Sequence, residues 1–172
     1  MKHFTPDNFH NCQLGLLLGR AAILKDKIID THMEPHGITA AQFKVLIIMA
    51  QFGVDTPAEL CRNLSLDSGS MTRMLDRLEQ KGLLGRKRSE LDRRQVQLVL
   101  TDDGQRLADM LPYIGAEALN QLASALEPGE LQTLEKILKK ILIAAGDPIT
   151  LQRVGRERSE ERRVGKECPR CV

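Results

Sequence analysis

Residues 56–101 read TPAELCRNLSLDSGSMTRMLDRLEQKGLLGRKRSELDRRQVQLVLT, and this stretch decides the fold. Thr56-Pro57-Ala58-Glu59 is a helix start: Thr56 caps, Pro57 takes the first helical position, and Glu59 completes a capping box. The helix it opens is short, ending near Asn63, with Leu60 and Leu64 facing inward. Asp67 or Ser68 caps the next helix, which is expected to run to Lys81. Met71, Leu75, Leu78 and Met74 form its core face, and Ser68, Ser70, Thr72, Arg73, Asp76 and Arg77 lie opposite. Gly82 supplies the left-handed stop. Residues 83–87 and 95–100 then alternate as two strands, with Val96, Leu98 and Leu100 on one face. The tip between them is Glu90-Leu91-Asp92-Arg93-Arg94.

Working outward, residues 8–33 are expected to form one long helix, apolar on more than one face through Leu14, Leu17, Leu18, Ala21, Ala22, Leu24, Ile28 and Ile29. Pro35 and Gly37 stop it. Thr39 and Gln42 make a capping box for a second helix with Phe43, Leu46, Ile47 and Ala50 as its buried stripe. Beyond the hairpin, Thr101 or Asp102 caps a helix over about 103–126, with a kink expected at Pro112. A last helix to about Ala145 aligns Leu131, Leu134, Ile137, Leu138, Ile141 and Leu142. The fold class is therefore mainly α with a small β-hairpin: a winged helix-turn-helix unit over about 39–101, flanked by dimerisation helices over about 8–33 and 103–145. Residues 153–172 hold seven Lys/Arg and four Asp/Glu and little that could pack. Residues 147–172 are read as a disordered tail, and the abrupt change of character after about 156 is what a non-native remnant or read-through would give.

The bulk numbers agree with a helical domain. Aromatics make up 3% and there is no Trp, so the core must be built from Leu, Ile, Met and Ala. No apolar run approaches the roughly 18 residues of a membrane span, and residues 1–11 lack the apolar centre of a secretory signal. A cytoplasmic, nucleoid-associated location is expected. The net charge of +2 decides nothing, but residues 62–94 hold nine Lys/Arg against five Asp/Glu. A helix followed by an arginine-tipped ribbon suits a DNA duplex, since the helix fits the major groove and the ribbon reaches the minor groove. There is no Gly-rich phosphate loop, HExxH or GxSxG elbow, so no enzyme and no cofactor are expected.

Leu66-Asp67-Ser68-Gly69-Ser70-Met71-Thr72-Arg73-Met74-Leu75 resembles the recognition helix of MarR-type transcriptional regulators. Leu78-Glu79-Gln80-Lys81-Gly82-Leu83-Leu84 resembles that family's exit into the wing, and Asp92-Arg93-Arg94 with Leu100-Thr101 and Gly104 resembles its wing signature. The resemblance covers residues 10–145. It implies a homodimer that reads a pseudo-palindromic operator with half-sites about one helical turn apart, and a repressor released by a small-molecule effector, phenolic or aromatic by analogy. The expected DNA contacts are Ser68, Ser70, Thr72, Arg73 and Arg77 on the recognition helix. On the wing they are Arg86, Arg88, Asp92, Arg93 and Arg94, with Arg86, Lys87 and Arg88 following the backbone and Arg94 entering the minor groove, oriented by Asp92. Arg20, Phe43 and Ile47 are the expected ligand-lining residues.

Two other readings are open. Organic-hydroperoxide sensors of this family carry a reactive cysteine near the start of the first helix; Cys12 lies about one turn early, and the single tyrosine, Tyr113, is far along the chain. The other is a protein-interaction module that keeps the fold and binds no DNA. Cys61 is expected in the core. Cys168-Pro169-Arg170-Cys171 is one CxxC without a second pair, and His32, Glu34 and His36 sit at a helix end, so no metal site is expected.

Overall fold

The computed structural model describes residues 3–88 and 96–155. Its elements are α1 (Pro6–Phe9), α2 (Leu14–Met33), α3 (Ala40–Phe52), α4 (Pro57–Leu64), α5 (Ser68–Gln80), β1 (Leu84–Arg88), β2 (Val96–Leu100), α6 (Asp102–Ala123) and α7 (Pro128–Ala144). The chain divides into two compact units, one ending at Ser124 and one beginning at Ala125.

The expected first helix is two helices. Thr5-Pro6-Asp7-Asn8 is itself a start signal: Pro6 takes the first turn, and the Asn8 side chain accepts from the Thr5 N–H at 2.8 Å. This box closes a single turn, and α2 starts afresh after Gln13. Cys12 therefore lies in the link between the two helices, half-buried. α2 ends at Met33, a 3-10 turn over Glu34–His36 follows, and Gly37 takes the left-handed conformation at φ 66°.

α3 is the centre of the first unit. Thr39 accepts from the Gln42 N–H, and Gln42 Oε1 accepts from the Thr39 N–H at 3.1 Å. Its buried residues are Ala40, Gln42, Phe43, Val45, Leu46, Ile48 and Met49, whereas Ala50 is exposed and Ile47 half-buried. The single stripe expected for this helix is thus too narrow, because α2, α4 and α6 all pack against it. The Lys44 ammonium bonds Asp26 Oδ2 at 2.7 Å, and Lys25 Nζ stands 3.2 Å from Oδ1. Burial pushes the Asp26 carboxyl up, but the bonds from Lys44 and then Lys25 outweigh it and hold it below the usual range. Asp30 accepts from the Ala40 N–H at 2.5 Å, and His32 Nε2 pairs with Gln121 Oε1 at 2.9 Å, fastening α2 to α3 and α6.

β1 and β2 pair antiparallel, with Leu84 opposite Leu100, Arg86 opposite Leu98 and Arg88 opposite Val96. β2 is also held on its other side, where the Leu98 N–H donates to the Asp55 carbonyl at 2.7 Å and Gln97 Nε2 to Asp55 Oδ2 at 2.6 Å. Thr101 caps α6, which runs unbroken through Pro112. The Thr101 hydroxyl donates to the Gly82 carbonyl at 2.5 Å and its N–H to the Leu83 carbonyl at 3.2 Å. A Cβ on Gly104 would stand 1.8 Å from the Leu83 oxygen. The Leu-Thr-x-x-Gly sequence is therefore a seam that lets α6 start directly against the exit of α5.

In the second unit, Gly146 ends α7 in the left-handed region at φ 72°. Residues 148–155 are helical, with the Thr150 N–H bonded to Asp147 Oδ2 at 2.7 Å. This corrects the expectation of disorder from 147 onward: Asp147-Pro148 is a cap and a first-turn proline, a start signal more than a break. Residues 156–172, with Cys168 and Cys171, lie outside the described residues. Among the described residues, no helix is long and apolar enough to cross a membrane.

Candidate nucleic-acid interface

α5 begins where Asp67 accepts from the Ser70 N–H at 2.9 Å. The Ser70 hydroxyl and then its backbone N–H hold the Asp67 carboxyl below its usual range. The start of α5 is thus partly taken up by the chain's own carboxylate. Met71, Leu75 and Leu78 are buried and anchor the helix. The opposite face presents Ser68, Thr72, Arg73 and Arg77 to solvent, with Ser70 half-buried. The Thr72 hydroxyl donates to the Ser68 carbonyl at 2.8 Å, so it faces outward as an acceptor. Arg73 Nη2 donates to the Ser70 hydroxyl at 3.2 Å. Asp67, Ser70 and Arg73 therefore form one chain of bonds along the first turn, which limits where the Arg73 guanidinium can go.

Arg77 and Lys81 continue the cationic line one and two turns on. Lys81 Nζ donates to the Gly37 carbonyl and, at 2.9 Å, to Gln42 Oε1. Gln42 is 4% exposed, and this bond together with its capping bond explains how a polar side chain is buried there. Sequence reasoning missed Lys81; the burial of Gln42 that gives it a role is a tertiary fact with no local signal. A groove of about 380 Å³ runs between the start of α3 and α5, lined among others by Thr39, Gln42, Ser70, Arg73, Met74 and Arg77.

Arg88 is exposed on β1. Arg86 is not free to follow a phosphate backbone: its Nη2 meets Asp76 Oδ1 at 2.6 Å and its Nη1 meets Glu79 Oε2 at 2.7 Å. Asp92, Arg93 and Arg94, the expected tip contacts, lie outside the described residues. Of the expected ligand-lining residues, Phe43 is packed in the core with its ring 3.2 Å from where a Cβ on Gly115 would stand, Ile47 is half-buried, and Arg20 is exposed on α2. The groove beside α5 is lined by other residues. Tyr113 is exposed on α6. Among the described residues, no cluster of His, Cys, Asp and Glu is placed to hold a metal.

Comparison with known proteins matches this geometry. The model of the MarR family fits residues 38–96. The multiple antibiotic resistance protein MarR of Salmonella typhimurium is 41% identical over 140 residues, covering 80% of this chain and 97% of that protein. Among solved structures, a mutant of MarR from E. coli complexed with operator DNA is 36% identical with a TM-score of 0.71, covering 81% of this chain and 99% of that one. BpsR of Bordetella bronchiseptica, solved to show regulation of its DNA binding by 6-hydroxynicotinic acid, is 26% identical with a TM-score of 0.68, covering 76% of this chain and 98% of that one. With a capped and cation-faced α5, a β ribbon at its exit, and a relative matched over nearly its whole length, the chain belongs to the MarR family of winged-helix transcriptional regulators, which are not enzymes.

Proposed function

We propose that this chain is a homodimeric, sequence-specific DNA-binding regulator, a repressor released from a pseudo-palindromic operator by a small-molecule effector in the cytoplasm. The observation that carries this reading is α5, whose buried Met71, Leu75 and Leu78 fix a helix that turns Arg73 and Arg77 outward. In the major groove, Arg73 reaches a guanine edge or phosphate, and Arg77, further from the helix start, a phosphate. Arg94 enters the adjacent minor groove. The E. coli relative solved on operator DNA supports the same use of the fold.

The apolar faces of two helices support the dimer. Leu16, Leu17, Ile23 and Leu24 of α2 are at least half exposed, and on α7 Leu134, Ile137 and Ile141 are 44–50% exposed. Faces of this size on a single chain are interaction surfaces, and a second copy covers them. An effector acts by favouring one spacing of the two recognition helices, and weakens DNA binding only by its differential affinity for the two states. The effector-controlled relative BpsR makes the same class of input reasonable. The test is Arg94→Ala on a duplex selected from a random pool by the wild-type chain. Binding weakens by ~1–3 kcal/mol, the scale of a good base or groove contact. Undiminished affinity overturns the wing assignment.

A further inference from the structure

Within β1, Arg86 and Arg88 alternate with Lys87, and the Arg86 guanidinium is held by α5. Cross-strand register puts Arg86 opposite Leu98 and two residues from Leu84, and both leucines are 2% exposed. Side chains alternate along a strand, so Arg86 shares the inward face with those leucines while Lys87 lies on the other. Its guanidinium meets two carboxylates of α5 that are three residues apart, hence on one side of the helix. Each carboxylate takes a different terminal nitrogen, at 2.6 Å from Asp76 and 2.7 Å from Glu79. The Arg86 side chain is 32% exposed, and those of Asp76 and Glu79 are 45% and 41%.

We propose that Arg86 serves DNA recognition as a positioning residue: forked between Asp76 and Glu79, it joins the ribbon to the recognition helix so that the two approach DNA as one body, and it makes no phosphate contact. The proposal rests on the DNA-binding reading above. A single exposed ion pair holds little. Here one planar fork spans two acceptors and its stem lies over buried leucines, which is the arrangement in which arginine outperforms a point charge. The fork also pairs two carboxylates of the helix that is to meet phosphates. Asp55 and Thr101 hold the base of the ribbon from its other sides, and Arg86 links β1 to the reading helix itself.

The experiment is a mutant cycle on the full chain, using the duplex selected from a random pool and repeating each titration across salt concentrations. Arg86→Ala and Arg86→Lys both weaken binding about tenfold, within the range for charges coupled in one network, because a lysine cannot span both carboxylates. In an Asp76→Ala/Glu79→Ala background, Arg86→Ala adds less than about a twofold loss. The salt slope of the single variant stays at the wild-type value, whereas loss of a phosphate contact lowers it by about 1. Without DNA, deuterium exchange over residues 84–88 and 96–100 is faster in Arg86→Ala and in the double-alanine background. Wild-type affinity in Arg86→Lys, a tenfold loss retained in the double-alanine background, or a slope lowered by about 1 overturns the proposal. Unchanged exchange in Arg86→Ala overturns the fork itself, whatever the DNA results. A wild-type chain with no salt-sensitive affinity and normal exchange differences overturns the DNA reading and leaves the fork as a fold element alone.

Discussion

Gly104→Ala is the sharpest test of how the winged unit is joined to α6. The added Cβ would stand 1.8 Å from the Leu83 oxygen, 2.8 Å from its carbonyl carbon and 3.3 Å from its Cα. All three are backbone atoms, so no side-chain rotation relieves the clash, and the start of α6 must move away from residue 83. Overpacking of this kind costs about 1–3 kcal/mol. The shift also strains the Thr101 N–H bond to the Leu83 carbonyl, a bond contributing about 1 kcal/mol. Alanine returns about 1 kcal/mol through helix propensity. The net expectation is a loss of about 1–3 kcal/mol, read as a lower urea midpoint at unchanged slope. Gly85→Ala is the control, because its Cβ meets only Val99 Cγ2 at an ordinary 3.8 Å, and it stays within about 0.5 kcal/mol of wild type. A Gly104→Ala chain as stable as wild type would refute the close seam between α6 and the exit of α5.

Other expectations follow from the same contacts. Lys81→Ala removes one of two donors to the buried Gln42 Oε1 and the donor to the Gly37 carbonyl; it lowers stability by about 1–2 kcal/mol, and an unchanged urea midpoint would dismiss Lys81 as a latch. Asp26 titrates below its usual range in the folded chain, so its charge stabilises the fold above the ordinary carboxylate pKa, and that contribution is lost as pH falls through the lowered folded value, below about pH 4. Asp26→Asn is therefore less stable than wild type at neutral pH, and the gap closes in acid; a gap constant with pH contradicts the ion-pair account. Because Oδ2 bonds Lys44 and Oδ1 stands beside Lys25, the neutral-pH loss in Asp26→Asn is smaller in a Lys44→Met background, and equal losses in both would separate Lys44 from the effect.

Much of this fold is written in local chemistry. Thr39, Thr56, Asp67 and Thr101 each accept a backbone N–H three residues on; the first two follow outright from sequence context, which left Asp67 or Ser68 and Thr101 or Asp102 open. Gly37, Gly53 and Gly82 sit in the left-handed region where the turns require it. The misreadings are equally specific. The first helix reads as continuous because the apolar run from Leu14 masks the separate Thr5-Pro6-Asp7-Asn8 start. The α3 stripe reads as one-sided because periodicity cannot show that a helix is surrounded. Residues 147–155 read as tail although Asp147-Pro148 opens a helix there.

The site shows the same division. The outward face of α5 follows from its 3.6-residue period, and Arg73 and Arg77 stand where that period puts them. Arg86, Lys87 and Arg88 read as one basic run, yet strand alternation alone separates Lys87 from the other two. What no pattern in the chain contains is the tertiary meeting of Arg86 with Asp76 and Glu79, or of Lys81 with Gln42. Those contacts depend on how closely the ribbon and α3 approach α5.

The proposed function requires that the cations of this surface bind duplex DNA. The most direct measurement is equilibrium binding of the wild-type chain to the duplex selected from a random pool, across a series of salt concentrations, with a scrambled duplex of equal length alongside. Log K for both duplexes is expected to fall linearly with log salt, and the selected duplex to bind at least about 1000-fold more tightly than the scrambled one. Affinity that is absent, or indifferent to both salt and sequence, would contradict it.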